Sequence, residues 1–153
     1  MPVSTIDGIV EAAALKRRVR NISIYDSIAF RLDDGSEHWL GKSIVPNTVA
    51  DVLKPGTKGR FYLYSSIDHK GVHGVRSVGG VSAYGYAQNN ERLMLIVLGL
   101  NALWLVGGVF LDGQVRLFPL ALAVLAVVVY PLYRKTRIES RRQFDADAGC
   151  VPG

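Results

Sequence analysis

Two apolar runs in the second half of the chain constrain it more than any other feature. Leu93–Leu111 reads LMLIVLGLNALWLVGGVFL, 19 residues with one strongly polar side chain, Asn101. At about 1.5 Å per residue this makes about 28 Å of helix, close to a bilayer hydrocarbon core of about 30 Å. Leu117–Tyr133, LFPLALAVLAVVVYPLY, adds a second run of 17 residues bracketed by aromatics. Asp112–Arg116 between them reads as a compact turn, with Gly113 where a helix must stop. From Leu93 to Tyr133 only Asp112 and Arg116 are charged, against 20 charged residues in 1–91. A helix that is apolar all round needs lipid or a large protein core around it, and about 90 residues of β-patterned chain do not supply such a core. The pattern predicts a transmembrane helical hairpin.

Within the hairpin, Pro119 falls in the first turn of the second helix, where its missing N–H costs little, and Pro131 in the last turn, where the helix is ending. Pro119, Ala123, Ala126 and Tyr130 recur at helical spacing and place small residues along one stripe, as close helix contact in lipid requires. Asn101 and Gly108 share a face of the first helix. A mid-membrane amide seeks a hydrogen-bond partner, so this face is expected to turn toward the second helix, a backbone carbonyl or a neighbouring subunit.

The formal net charge is +5, and its placement matters more than its size. Arg92 precedes the first apolar run, and Arg134, Lys135, Arg137, Arg141 and Arg142 follow the second. By the positive-inside rule both termini are expected in the cytoplasm, and the same cations suit the anionic headgroups of that leaflet. The first residues show no charged n-region followed by an apolar stretch, so insertion is expected to rest on the two later runs. Cys150 is the only cysteine, which excludes an intrachain disulfide and a cysteine-rich metal centre.

Residues 5–86 are rich in strand signals. Thr5–Arg20 reads as a first strand bent at Gly8 or at the alanine run. Ile22–Leu32 follows with alternating apolar residues and ends in Asp33-Asp34-Gly35, a strong hairpin turn. Glu37–Val45 is the return strand. Pro46-Asn47-Thr48 caps a short helix over Val49–Leu53, which Lys54-Pro55-Gly56 ends. Gly59–Ile67 and the stretches Val72–Arg76 and Val81–Tyr86 supply the remaining strands.

Three strands, a short helix and two further strands resemble the OB-fold, a small Greek-key barrel with a helix between its third and fourth strands. An SH3-like barrel is the competing architecture. An OB-like domain joined to membrane helices resembles the NfeD-type bacterial membrane proteins, which that family builds with the helices first; here the order is reversed. The expected architecture is therefore a small all-β, OB-like barrel over residues 1–90 and a transmembrane α-helical hairpin over 91–133, with helices at 93–111 and 117–133. Residues 134–153 are expected to form a basic juxtamembrane segment ending in a disordered tail.

Catalytic signatures are missing from this pattern. His69 and His73 are four apart, but Gly71 between them points to a solvated loop, and a third and fourth ligand are not evident, so no metal is expected. There is no phosphate loop, nucleophile elbow or Cys–His pairing, and no cofactor is expected. Lys16, Arg18 and Arg20 would share one face of a strand. Together with Trp39 they form the candidate interaction face, and Tyr25, Tyr62 and Tyr64 are further aromatics that a single-strand-binding OB surface would expose. The distribution of charge makes nucleic acid a poor partner. The reading the sequence favours is a non-enzymatic inner-membrane accessory or assembly protein. Its β-barrel binds a protein partner or a second copy, with anionic lipid headgroups as an additional contact. The alternatives are a tethered module for a ligand or nucleic acid, and a small oligomeric transport or pore component.

Overall fold

A computed structural model describes residues 3–66, 69–86, 89–114 and 117–148. Seven antiparallel strands come first: β1 (Val3–Arg18), β2 (Ile22–Leu32), β3 (Glu37–Leu40), β4 (Ser43–Pro46), β5 (Lys58–Ser65), β6 (Lys70–Ser77) and β7 (Ser82–Tyr84). One helical turn, α1 (Asn47–Ala50), sits between β4 and β5, and two long helices, α2 (Asn89–Asp112) and α3 (Leu117–Ala146), follow. The strands form one sheet in the order β3-β2-β1-β5-β6-β7, with β4 pairing the other end of β2.

β1 organises the sheet because it is long enough to serve two partners. Its first half pairs with β5 from Val3↔Tyr64 to Ile9↔Lys58, and Gly8 to Arg18 pair with β2. Register shifts after Val10, Ala14 and Leu15 bend the strand between these ladders, as bulges do. The single return strand expected over Glu37–Val45 is instead two strands. The chain leaves the ladder at Gly41-Lys42, and β3 and β4 pair with opposite ends of β2.

The sheet curls around one apolar core that includes Val10, Ile28, Phe30, Val45, Leu53, Phe61 and Val75. Phe30 and Phe61 meet with ring centroids 4.9 Å apart. The expected closed barrel is not formed, and the sheet is open. β4 does approach β6, since the Tyr64 hydroxyl donates to the Ile44 carbonyl at 3.1 Å and a Cβ at Gly71 would strike that same carbonyl. No ladder joins these two strands among the described residues. The rim contact at this seam is made by a side chain and a glycine rather than by strand pairing.

β5 and β6 carry a second layer. Phe61 and Leu63 enter the core, yet Tyr62 and Tyr64 on the opposite face are equally buried, as is His73 on β6. A strand buried on both faces needs a cover on each. The outer cover is the end of α3. Its expected end was Tyr133, but the helix passes through Pro131 and runs to Ala146, so the basic juxtamembrane segment is helical, and of the tail expected to be disordered residues 149–153 lie outside the described residues. From Thr136 onward it forms one compact unit with the sheet, while the apolar helices up to Lys135 form the other.

Candidate functional site

Three regions carry chemistry or contact potential, and each follows from a local rule of the sequence. The first is the pair of apolar helices. α2 and the first part of α3 are long and apolar enough to cross a membrane. Their burial is inverted relative to a soluble core: Leu103, Phe110, Leu111, Leu117 and Phe118 are exposed, whereas Asn101, Gly108, Pro119 and Ala126 are among the buried positions. Small and polar residues inside with large apolar residues outside is the arrangement that lipid favours. Asn101 donates its amide to the Val97 carbonyl at 2.7 Å, one turn back along its own helix. Ala123 on the same stripe as Pro119 and Ala126 is half-buried. α2 ends as the sequence implied, with Gly113 in the left-handed region at φ 65° and its N–H on the Val109 carbonyl. Arg116, counted in the charge of the turn, lies outside the described residues.

The second region is the outer face of β5–β6–β7 under the end of α3. Phe144 is its centre. Its ring lies 5.0 Å from Tyr62, edge to face, and 5.0 Å from Tyr84. The Arg76 guanidinium carbon sits 4.3 Å over it, while an Arg76 Nη donates to the Phe144 carbonyl at 2.9 Å and so satisfies one of the carbonyls left free at a helix end. Gly74 makes room, since a Cβ there would come within 2.7 Å of the ring. Beyond Ala146, Asp147 accepts from Arg60 at 3.2 Å and from the Tyr62 hydroxyl at 3.0 Å. Arg60 also forks onto Asp7 at 2.7 and 2.9 Å. These two carboxylates hold Arg60 firmly protonated, the Asp7 hydrogen bond contributing most. Tyr62 is pushed up to about 12, first by burial and then by its bond to Asp147.

His73 is the residue that sequence reasoning placed wrongly. It is not in a solvated loop but in β6, fully buried, with Tyr62, Tyr64 and Tyr84 around it at ring distances of 6.1, 5.9 and 5.9 Å. Gly71 and Gly74 on either side are not turn residues. They allow the close approach of Ile44 and of Phe144 that buries the histidine. Neither ring nitrogen has a hydrogen-bond partner within bonding geometry, and burial lowers His73 to about 4, with the nearby Ser140 backbone pulling weakly the other way. The imidazole is neutral and acts as an aromatic packing element.

The third region is an open cleft of about 220 Å³ at the rim where the sheet fails to close. Leu40 and Leu63 form its apolar part, and Ser4, His38, Ser65 and Lys70 supply its polar edge. Trp39 flanks it, 61% exposed, with its indole N–H held by Glu37 at 3.1 Å.

The remaining sequence candidates are dispersed. Lys16 pairs with Asp26 at 2.9 Å and Arg18 with Asp51 at 2.8 Å. Arg20 lies past the end of β1, exposed. Trp39 is on the rung of Ala29 and Ala12, four residues along β1 from Lys16, so the three cations and the indole do not share one patch. Tyr25, Tyr62 and Tyr64 are buried and offer no stacking surface. Arg92, Arg134, Lys135, Arg141 and Arg142 are exposed, Arg141 facing Asp145 at 3.6 Å, while Arg137 is half-buried. The signal for the α3 docking face was present as Thr136, Ser140 and Phe144 at i, i+4 and i+8. Two small hydroxyls and one ring make a faint apolar stripe.

Comparison with protein-family models, with curated proteins and with solved structures finds no match for this chain.

Proposed function

We propose that this chain is a non-enzymatic, membrane-anchored accessory or assembly protein of a bacterial inner membrane, whose OB-like sheet domain binds a protein partner at the cytoplasmic face. The inverted burial of α2 and α3 is the observation that carries the anchoring, because large apolar side chains left outside a fold need lipid or protein around them. Arg92, Arg134, Lys135 and the cations after them favour a cytoplasmic location for both termini by the positive-inside rule. The OB-like reading draws on connectivity: β1 pairs with both β2 and β5, and α1 falls between β4 and β5. Tethering serves a binding domain by raising its local concentration near membrane-bound partners.

A second reading, a membrane-tethered ligand-binding module, is favoured by the cleft beside Trp39. The test of the leading reading is alkaline extraction of membranes from expressing cells, followed by crosslinking and mass measurement of the detergent-solubilised protein. Retention in the membrane pellet together with a crosslinked partner supports it. Release into the supernatant, or a lone monomer without a partner, overturns it.

A further inference from the structure

We propose that the cleft at the open rim binds a small organic oxyanion with an apolar ring, its carboxylate or phosphate held by Lys70 and its ring lying on Leu40, Leu63 and the Trp39 indole. This rests on the second reading above. The lining offers apolar surface and proton donors: Ser4 and Ser65 carry hydroxyls, Lys70 an ammonium and His38 an imidazole, and no carboxylate lines the cleft among the described residues. The Lys70 ammonium lies over Gly41, where a Cβ would come within 3.9 Å of it, and it has no carboxylate partner among the described residues. Glu37, the nearest acid in sequence to the indole, is occupied by the Trp39 N–H and serves to fix the ring.

Position and size point the same way. Mouths of curled sheets are places where ligands settle, and this cleft exists because β3 and the β5–β6 pair do not join. Its 220 Å³ exceeds the roughly 150 Å³ that accommodates benzene and falls below the roughly 300 Å³ at which drug-sized sites begin. One ring and one acidic group fit. A charged oxyanion meeting an ammonium makes the stronger class of hydrogen bond, and an exposed tryptophan gains most from being covered.

The full chain in nonionic detergent, with Trp104→Phe so that Trp39 is the only indole, provides the assay. Benzoate, phenyl phosphate and the neutral isostere benzamide are titrated into the millimolar range while Trp39 emission is followed. A saturable change with benzoate or phenyl phosphate is expected, the stronger of the two identifying the acid group, with benzamide about tenfold weaker. Lys70→Met should weaken both anions by about the same factor and leave benzamide alone, while Lys54→Met, away from the cleft, changes nothing. No saturable response to either anion overturns the proposal. Equal binding of benzamide, or full anion binding by Lys70→Met, also overturns it. Lys70 is exposed, so its loss does not endanger folding. Membrane extraction does not enter this readout, so anchoring and ligand binding fail separately.

Discussion

Replacing Phe144 by alanine should detach the end of α3 from the sheet while leaving the sheet folded. The ring is buried against Tyr62, Tyr84, Gly74 and the Arg76 guanidinium, and none of these belongs to the core cluster that holds the strands together. Removing a buried phenyl ring costs about 3–5 kcal/mol, of which the Arg76 contact accounts for about 1 kcal/mol. The Arg60–Asp147 pair, partly exposed, contributes about 1 kcal/mol or less, so the ring dominates the docking. The Arg76 bond to the backbone carbonyl survives the substitution and offsets part of the loss. A net change of about 3 kcal/mol lowers the docking equilibrium constant about a hundredfold. Amide hydrogen exchange of peptides covering 136–148 reads this directly. Protection there should fall by about two orders of magnitude, while peptides from β1 and β2 keep theirs. Ile138→Ala, on the exposed side of the helix, is the control and should leave exchange unchanged. Unaltered protection of 136–148 in Phe144→Ala would refute the idea that this ring anchors the helix.

His73 makes stability depend on pH. Its folded value of about 4 lies below the ordinary 6.5, so the unfolded chain takes up the proton first. The stability is complete above pH 6.5 and is lost as pH falls toward 4, by about 2 kcal/mol at pH 5. His73→Phe should flatten thermal melts compared at pH 7 and pH 5, and a His73→Phe protein with the wild-type pH slope would rule this out. Asp147→Asn removes the ionic acceptor of Arg60 and Tyr62 and should raise exchange in 136–148 by about fivefold, a cost of about 1 kcal/mol. It should also bring the Tyr62 phenol down from about 12 in an ultraviolet titration, though not to the ordinary value, because burial remains its first cause. Asn101 is satisfied by Val97 within its own helix, so Asn101→Leu should leave the mass of the detergent-solubilised particle unchanged; dissociation would assign the amide to a subunit contact.

Much of the sheet was legible because local chemistry and tertiary structure agree there. Asp33-Asp34-Gly35 forms the expected turn, with Gly35 at φ 84° and Asp34 lowered by the hydrogen bonds it accepts from Ser36. The apolar helices were legible because uniform hydrophobicity over about 20 residues has few other uses. The sequence read less well wherever a long-range contact overrides a local signal. Pro131 and the polar residues after Tyr133 look like an ending. The helix continues because Arg-Lys-Thr-Arg-Ile-Glu favours it locally and because Phe144 has a glycine-floored site on β6. Gly71 and Gly74 look like flexible loop residues, yet their role is close packing, and with them His73 moves from solvent to an aromatic interior. Ring closure failed as an expectation for a related reason. β3 and β4 separate at Gly41-Lys42 and pair with opposite ends of β2, and the rim left open holds the cleft that no local pattern announces.

In the proposed topology α2 and α3 cross a membrane with the sheet domain on the cytoplasmic side. Single-cysteine accessibility tests it most directly. In a Cys150→Ser background, Gln114→Cys marks the connection between the helices and Ser36→Cys marks the β2–β3 turn, and each is treated with a membrane-impermeant maleimide before and after lysis of spheroplasts. Gln114→Cys should react in intact spheroplasts and Ser36→Cys only after lysis. Labelling of Ser36→Cys in intact spheroplasts, or protection of both sites until lysis, would contradict the account.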